Sequence, residues 1–230
     1  MKRFWSEVRA LAVENGWAVE LDGKPLRTPA RAPLIVPARA LANAIVAEWG
    51  SVEERVDPRS MLLTGLANAA IDRVSTDRVG FAKDLAKYAE SDLTCYRVDA
   101  PRELAARQAE SWDALLAWAR RRFDIDFRTT CGLVHVAQPP ATVDRLAHAV
   151  AALDSFRLAG LSPLVTIGGS LIAALAILEG RCSGDSVWNA VSVDERWQLE
   201  QWGSDPEAEL ALENRKRDFF AAVRFLHLLD

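Results

Sequence analysis

Cysteine and histidine are scarce in this chain, and their spacing excludes the sites that usually need them. The three cysteines, Cys95, Cys131 and Cys182, form no C-x-x-C pair, and any disulfide scheme leaves at least one unpaired. A reducing compartment is the simplest context. The histidines show no H-x-x-x-H or H-x-x-E spacing: His135, His148 and His227. No nucleotide-binding glycine motif is present either, so we expect neither a metal nor a cofactor.

Long hydrophobic runs and clusters of one charge sign are also missing. The most apolar stretch, Leu171 to Leu178, is far shorter than the ~20 residues that span a bilayer. We interpret it as a buried core helix with Ser170 near its N-cap. The net charge is −4, and basic residues are interspersed with acidic ones, so no basic stripe is available for a phosphate backbone. We therefore expect neither a nucleic-acid partner nor insertion into a membrane.

Apolar residues are plentiful: they make up 50% of the 230 residues, enough for a proper core. Residues 17–36 alternate apolar and polar positions around Asp22-Gly23, a two-residue hairpin signal that predicts a small antiparallel sheet. Four prolines limit its strands to short, edge-like or bulged pieces: Pro25, Pro29, Pro33 and Pro37. From Ala38 the period becomes helical. We predict an α+β protein, with a small β domain at 1–37 and a helical domain at 38–230.

Helical periodicity runs through most of residues 38–230. The segments that carry it are ARALANAIVAEWGS, MLLTGLANAAIDRV, DRVGFAKDLAKYAESD, RELAARQAESWDALLAWARRRF, TVDRLAHAVAALDSF, LIAALAILEG and VWNAVSVDERWQLEQW. Asp205 and Pro206 predict the N-cap and first turn of the last helix, which would run through Phe219 and Leu226. Residues 128–140, RTTCGLVHVAQPP, break the series and fit either a β extension or a loop between helical blocks.

Catalytic groups are harder to find. Cys95 lies beside Tyr96 without an identifiable base, which favours a buried, inert thiol. Acids are numerous, and nothing in the sequence identifies two of them as a catalytic pair. The acids considered are Asp72, Asp92, Asp194, Glu195, Glu200, Asp205 and Glu207. Most should lie on solvated helix faces, where Arg196 and Glu200 would form an ion pair. An alternative function stays open, a small-molecule hydrolase or ligand-binding enzyme with a carboxylate pair in an interdomain cleft.

Tryptophan is over-represented, with eight residues against two tyrosines, and such large rigid side chains serve as core fillers or as interface anchors. Periodicity assigns Trp49, Trp112 and Trp188 to the core. Trp197 and Trp202 lie among acids and glutamines, and their sequence context favours neither core nor surface.

Five stretches in order, spanning roughly residues 4–225, carry a family resemblance. They are LDGKPLRTP, LANAIVAEWGS, DPRSMLLTGLANAAIDRV, YAESDLTCYR and DERWQLEQWGSDPEAE. Together they resemble the assembly chaperones that bind the unassembled alpha subunit of the ATP synthase F(1) sector in mitochondria and alpha-proteobacteria. Leu62 and Thr94 depart from the family's usual proline and leucine. The resemblance implies a small β domain joined to a helical domain, and binding without catalysis.

The resemblance also implies a partner and a location. The partner would be the alpha subunit, bound by a protein that is a monomer when free. The N-terminal residues lack the Arg- and Ser-rich, acid-poor composition of a mitochondrial leader, so we expect a bacterial cytoplasmic protein, with eukaryotic relatives in the mitochondrial matrix. Four residues are the candidates for the client-facing patch or its immediate support: Asp194, Glu195, Trp197 and Trp202. Three others are expected to be structural: Trp49, Asp72 and Asp92.

Overall fold

A computed structural model describes residues 2–132, 134–203 and 205–230. It confirms the predicted fold class, because a small antiparallel sheet near the N-terminus precedes a larger helical part. The strands are β1 (Val8–Val13), β2 (Gly16–Leu21), β3 (Lys24–Pro25), β4 (Ile35–Val36), β5 (Tyr96–Arg97) and β6 (Thr130–Cys131). The helices are α1 (Arg39–Gly50), α2 (Leu62–Ala69), α3 (Arg78–Ala86), α4 (Arg102–Phe123), α5 (Pro140–Ala151), α6 (Ser155–Gly168), α7 (Leu171–Leu178), α8 (Gly184–Val191), α9 (Val193–Trp202) and α10 (Pro206–His227).

The predicted hairpin at Asp22-Gly23 is confirmed. Both residues have positive φ, 49° and 75°, as a tight two-residue turn between antiparallel strands requires. The turn joins β2 to the very short β3, while β1 and β4 also pair with β2 in antiparallel register. Asp22 Oδ1 accepts hydrogen bonds from the amides of Ser6 and Glu7, so the turn also holds the chain that leads into β1.

Contacts divide the chain into two compact units, and the first comprises residues 1–78, 154–160 and 221–230. Its core lies between the sheet and α1, with Val19, Val36, Leu41 and Ile45 fully or almost fully buried. Gly160 has a packing role here, because a Cβ added to it would lie 2.7 Å from a Leu226 methyl carbon. The boundary after residue 37 was predicted from a change of periodicity, and as a domain boundary it stays a prediction.

The second unit comprises residues 79–153 and 161–220. The predicted core helix at its centre is confirmed as α7, in which every residue from Leu171 to Ile177 is buried. Ser170 caps this helix, since its Oγ accepts from the amide of Ala173 at 3.0 Å. α4 packs against α7, and the Trp112 indole on α4 donates to the Ala190 carbonyl at the end of α8. None of the described helices is long and apolar enough to cross a membrane.

Three local features differ from the periodicity analysis. The sequence of α6 contains Pro163, which usually interrupts a helix, and the helix was not predicted. The run 187–202, predicted as one helix, is divided between α8 and α9 at Ser192, whose hydroxyl bonds the Trp188 carbonyl. The run 61–74 begins as α2 and ends in a π-helical turn, Ala70–Val74. In the segment 128–140, β6 pairs in parallel with β5.

Candidate partner-binding surface

The predicted patch lies where α9 leads into α10. Gly203 follows α9 directly with φ of 80°, a conformation that glycine adopts without strain. Asp205 then caps α10, its carboxylate accepting from the Ala208 amide, as predicted. Residues 206–217 of α10 include no buried residue, and only Leu212 is partly covered. Three turns of this helix are therefore presented to solvent beside α9.

An open groove of about 350 Å³ lies between α9 and these exposed turns of α10. Each wall repeats at positions i, i+3, i+4 and i+7, so each presents one helical face to the groove. The α9 wall consists of Glu195, Gln198, Leu199 and Trp202, and the α10 wall of Ala208, Ala211, Leu212 and Arg215. The two alanine side chains of α10 are small, so space remains in the groove opposite the leucine and tryptophan of α9.

An ion pair crosses this groove. Arg215 Nη1 donates to Glu195 Oε1 at 3.1 Å, and its Nη2 donates to the Ile167 carbonyl near the end of α6 at 3.1 Å. Both paired side chains are partly exposed, so the bond contributes little to stability and mainly fixes the two walls relative to each other. Of the two predicted acids, Glu195 is thus committed to a partner within the protein.

A second hollow, of about 390 Å³, adjoins the groove and shares Glu195, Gln198 and Arg215 with it. Asp194 lines this hollow in the first turn of α9, where the helix dipole favours a carboxylate. Its Oδ1 accepts from Gln108 Nε2 at 2.8 Å, whereas Oδ2 accepts no hydrogen bond within the described part of the chain. We call the groove and the hollow together the α9 channel.

The two tryptophans of α9 lie in different environments. Trp197 is buried, with 6% of its surface exposed, and the Arg107 guanidinium lies 4.9 Å from its ring centroid. Trp202 is 78% exposed and lines the groove. The structure therefore resolves the alternatives for both residues: Trp197 is a core side chain that supports the surface, and Trp202 belongs to the surface.

The predicted Arg196–Glu200 ion pair is wrong. Glu200 instead accepts from Arg107 at 2.6 Å, and Arg107 also bonds Glu103 on its own helix. Arg196 donates to the Asn189 carbonyl. Helical spacing alone therefore does not predict the partner of Glu200. Arg107 reaches Glu200 from α4, and its guanidinium also packs against the ring face of Trp197.

Trp49 and Asp72, both predicted to be structural, lie in the first unit. Trp49 is 7% exposed, packs on Trp5 with ring centroids 5.1 Å apart, and accepts the Trp5 indole N–H at its carbonyl. Asp72 accepts from the Thr28 hydroxyl at 2.6 Å and from the Ala30 amide at 2.9 Å. Asp72 therefore ties the proline-rich loop after β3 to the π-helical turn, and both structural roles stay predictions.

Asp92, the third of these residues, is fully buried in the second unit. Its Oδ1 accepts from the Thr94 amide, the Thr94 hydroxyl and the Ser170 hydroxyl, and its Oδ2 accepts from the Ile172 amide. Burial raises the pKa of this carboxyl, and the hydrogen bonds oppose that shift. The bonds connect the turn before β5 to the N-terminus of α7.

The remaining candidates for chemistry are placed as follows. Cys95 is buried, as predicted, and burial together with Asp92 raises the pKa of its thiol to about 12, so the thiol is protonated at neutral pH. His135 Nδ1 lies 3.1 Å from the Tyr96 hydroxyl. In the described ranges, no three His, Cys, Asp or Glu side chains cluster closely enough to hold a metal ion.

Sequence reasoning missed three residues that shape the patch: Arg107, Gln108 and Arg215. Two of them gave no local signal, because Arg107 and Arg215 come from α4 and α10, far from residues 194–202 in sequence. Gln108 did give one. It replaces an apolar residue in the stripe Leu104, Gln108, Trp112 of α4, and a buried amide needs a polar partner, here Asp194.

Comparison with known proteins gives consistent results. A protein-family model described as "ATP12 chaperone protein" matches residues 2–120. The crystal structure of Atp12 from Paracoccus denitrificans is 42% identical, with a TM-score of 0.95 over 100% of this chain and 98% of that one. A solved protein from Agrobacterium tumefaciens is 37% identical, with a TM-score of 0.94 over 100% and 86%. The mitochondrial protein atp12 of Schizosaccharomyces pombe is 24% identical over 90% of this chain and 75% of its own length.

Proposed function

The chain belongs to the ATP12 chaperone family, and from that premise we propose that it binds the unassembled alpha subunit of the ATP synthase F(1) sector. It would cover an apolar, aggregation-prone face of that subunit until the beta subunit takes its place. A large exposed apolar patch is an association hazard until its proper partner arrives, which gives such a chaperone its purpose. The reaction is binding and release, without catalysis.

The observation that carries this proposal is an exposed aromatic anchor on α9, the helix that also carries the predicted acids. Trp202 has the exposure of a side chain that awaits a partner, and tryptophan is among the residues that contribute most to interface affinity. Asp194 lies about two turns further towards the start of α9 and supplies an acidic group at the rim, which tunes encounter and specificity, while its neighbour Glu195 is paired with Arg215. Trp197 supports this surface from beneath.

Release by competition fits the same surface. The groove is open, and a partner that occupies it buries a limited area, which favours moderate affinity. The beta subunit would then displace the chaperone by offering the alpha subunit a larger interface, with no nucleotide cycle.

Co-expression tests the proposal. The alpha subunit produced alone with this chain should become soluble in a complex that purifies through a tag on either protein, and added beta subunit should displace the chaperone. The beta subunit produced alone with this chain is the control and should gain no solubility. The proposal fails if the alpha subunit remains insoluble, or if purified alpha subunit does not bind the protein.

A further inference from the structure

We propose that the α9 channel receives an amphipathic α-helix of the alpha subunit, with one apolar side chain against Trp202 and one basic side chain beside Asp194. The inference rests on the function proposed above and adds the shape and chemistry of the bound element. It also separates the two acids, because Asp194 would contact the client while Glu195 holds the channel open.

The walls of the channel favour a helix over an extended segment. Glu195 lies seven residues before Trp202, and it pairs with Arg215, seven residues after Ala208. The two walls are therefore antiparallel helical faces. Side chains spaced at i, i+3, i+4 and i+7 form ridges into which the ridges of a third helix can pack. An apolar groove between helices is also the usual receptor for an amphipathic helix.

The small residues of the α10 wall make room for the incoming side chain. Ala208 and Ala211 are exposed and stand opposite Leu199 and Trp202, so this section of the channel is apolar and uncovered. A leucine-sized or larger side chain inserted there would bury the face of Trp202. Removal of that aromatic surface from water supplies the affinity.

The charges of the channel select a basic partner. Glu195 and Arg215 neutralise each other, which leaves Asp194 at one end and Asp205 at the other as the uncompensated charges of the lining. Asp194 Oδ1 is held by Gln108, so the carboxylate is already oriented and its Oδ2 is available to a lysine or arginine. A second copy of this chain fits less well, because each copy carries a net charge of −4.

The distance between the two contacts sets the spacing on the client. Asp194 and Trp202 are eight residues apart on one helix, which corresponds to about 12 Å along its axis. A helix lying along the channel would therefore present its basic and apolar contacts about seven or eight positions apart, on one face. This spacing is a sequence criterion for the bound element.

Three single variants, assayed for binding to purified alpha subunit, test the channel. Trp202→Ala should weaken binding about tenfold or more, because the exposed aromatic anchor is lost. Asp194→Asn keeps an acceptor for Gln108 but loses the charge, and should weaken binding about threefold to tenfold with a smaller dependence on salt. Leu210→Ala is the matched control, since Leu210 is an exposed apolar residue of α10 outside the groove lining, and it should bind within about twofold of the wild type.

The outcomes separate this inference from the proposed function. Wild-type binding with an unaffected Trp202→Ala variant, or equal losses for Trp202→Ala and Leu210→Ala, would overturn the channel and leave the chaperone function standing. If the wild type does not bind the alpha subunit, both the channel and the proposed function are overturned. Circular dichroism and urea unfolding of each variant show that its fold is intact, which the exposure of Trp202 leads us to expect.

Photo-crosslinking identifies the occupant directly. A photoreactive benzoylphenylalanine introduced at Ala208, which stands opposite Trp202 in the groove, should crosslink to an amphipathic helix of the alpha subunit with a basic residue about seven or eight positions from the crosslinked site. A crosslink to an extended segment would overturn the helical occupant. A crosslink to another copy of this chain, with a dimer of the free protein that Trp202→Ala dissociates, would show that the channel serves self-association instead.

Discussion

Trp49 illustrates at the residue scale how a large side chain fills the core of the first unit. Its ring packs on Trp5, its carbonyl accepts the Trp5 indole N–H, and its own indole N–H has no partner among the described residues. The neighbouring Glu48 carboxylate is already engaged by the amides of Leu63 and Thr64 at the start of α2. This environment therefore offers space for an apolar group and no free counter-charge.

Trp49→Arg is expected to destabilise the protein by about 3 kcal/mol or more, because it buries a guanidinium without a carboxylate partner. Trp49→Phe is the matched control. It loses volume but adds no charge, and should cost about 1–3 kcal/mol. Urea unfolding followed by circular dichroism measures both. An arginine variant as stable as the phenylalanine variant would show that Trp49 is not enclosed as described.

Trp197 and Trp202 show why a residue type in an acidic context does not reveal its environment. At about 100° per residue, Trp202 lies about 180° around α9 from the buried Val193, whereas Trp197 lies one turn from it, on the same face. This geometry was available from the sequence only if α9 was known to start at Val193. Because residues 187–202 were predicted as one helix, the break at Ser192 was not expected. Trp197 and Trp202 therefore could not be assigned to the core or to the surface.

At the scale of elements, periodicity identified helices wherever one apolar stripe was uninterrupted. α4 begins and ends at the predicted residues, and α7 and α10 begin where their capping residues indicated. α6 was missed because Gly160 and Pro163 both suggest a break. In the structure Gly160 permits a close approach of Leu226, a tertiary contact that no local pattern reveals.

Asp92→Asn tests how α7 is held. The asparagine oxygen can replace Oδ1, but its amide group then faces the Ile172 amide, two donors with no acceptor between them. We expect a loss of about 1–3 kcal/mol at neutral pH in urea unfolding. Thr94→Val is a useful control, since it removes one hydroxyl bond to Asp92 and leaves the two backbone bonds in place.

The stability of the wild type and that of the Asp92→Asn variant should depend differently on pH. The pKa of Asp92 in the folded protein is raised above its ordinary value of 3.8. The stability that this carboxyl contributes to the fold is therefore fully present below pH 3.8 and decreases as the pH rises through the folded pKa. The wild type should therefore exceed Asp92→Asn in stability by more near pH 4 than at pH 7. A stability difference that is constant between these pH values, or larger at pH 7, would contradict the raised pKa.

At the scale of the whole molecule, the candidate patch could be predicted from the sequence because residues 194–202 are contiguous, and the resemblance supplied the proposed function. The channel itself could not be predicted. Its second wall, its ion pair and the orientation of Asp194 come from α10, Arg215 and Gln108, which tertiary packing brings to α9. Whether the patch binds the alpha subunit stays a prediction, for which the charge of Glu195 provides a direct test.

Glu195→Lys should leave the fold nearly intact and reduce client capture. A partly exposed ion pair contributes only about 0–1 kcal/mol, so the urea midpoint should change little. The introduced lysine would place a second cation beside Arg215, near the proposed position of the client's basic side chain, and capture of alpha subunit in pull-down should fall about tenfold.

Combining Glu195→Lys with Arg215→Glu separates two explanations of such a loss. The double variant reverses the ion pair and keeps the channel lining neutral at that point, so it should recover most of the capture if Glu195 acts through Arg215. If it stays as defective as Glu195→Lys while remaining folded, Glu195 touches the client itself and Asp194 is not the principal acid. An unfolded single variant, or one that still protects the alpha subunit fully, would count against the surface as a whole. Because the reversal also removes the bond from Arg215 to the Ile167 carbonyl, capture is compared only between proteins of matched stability.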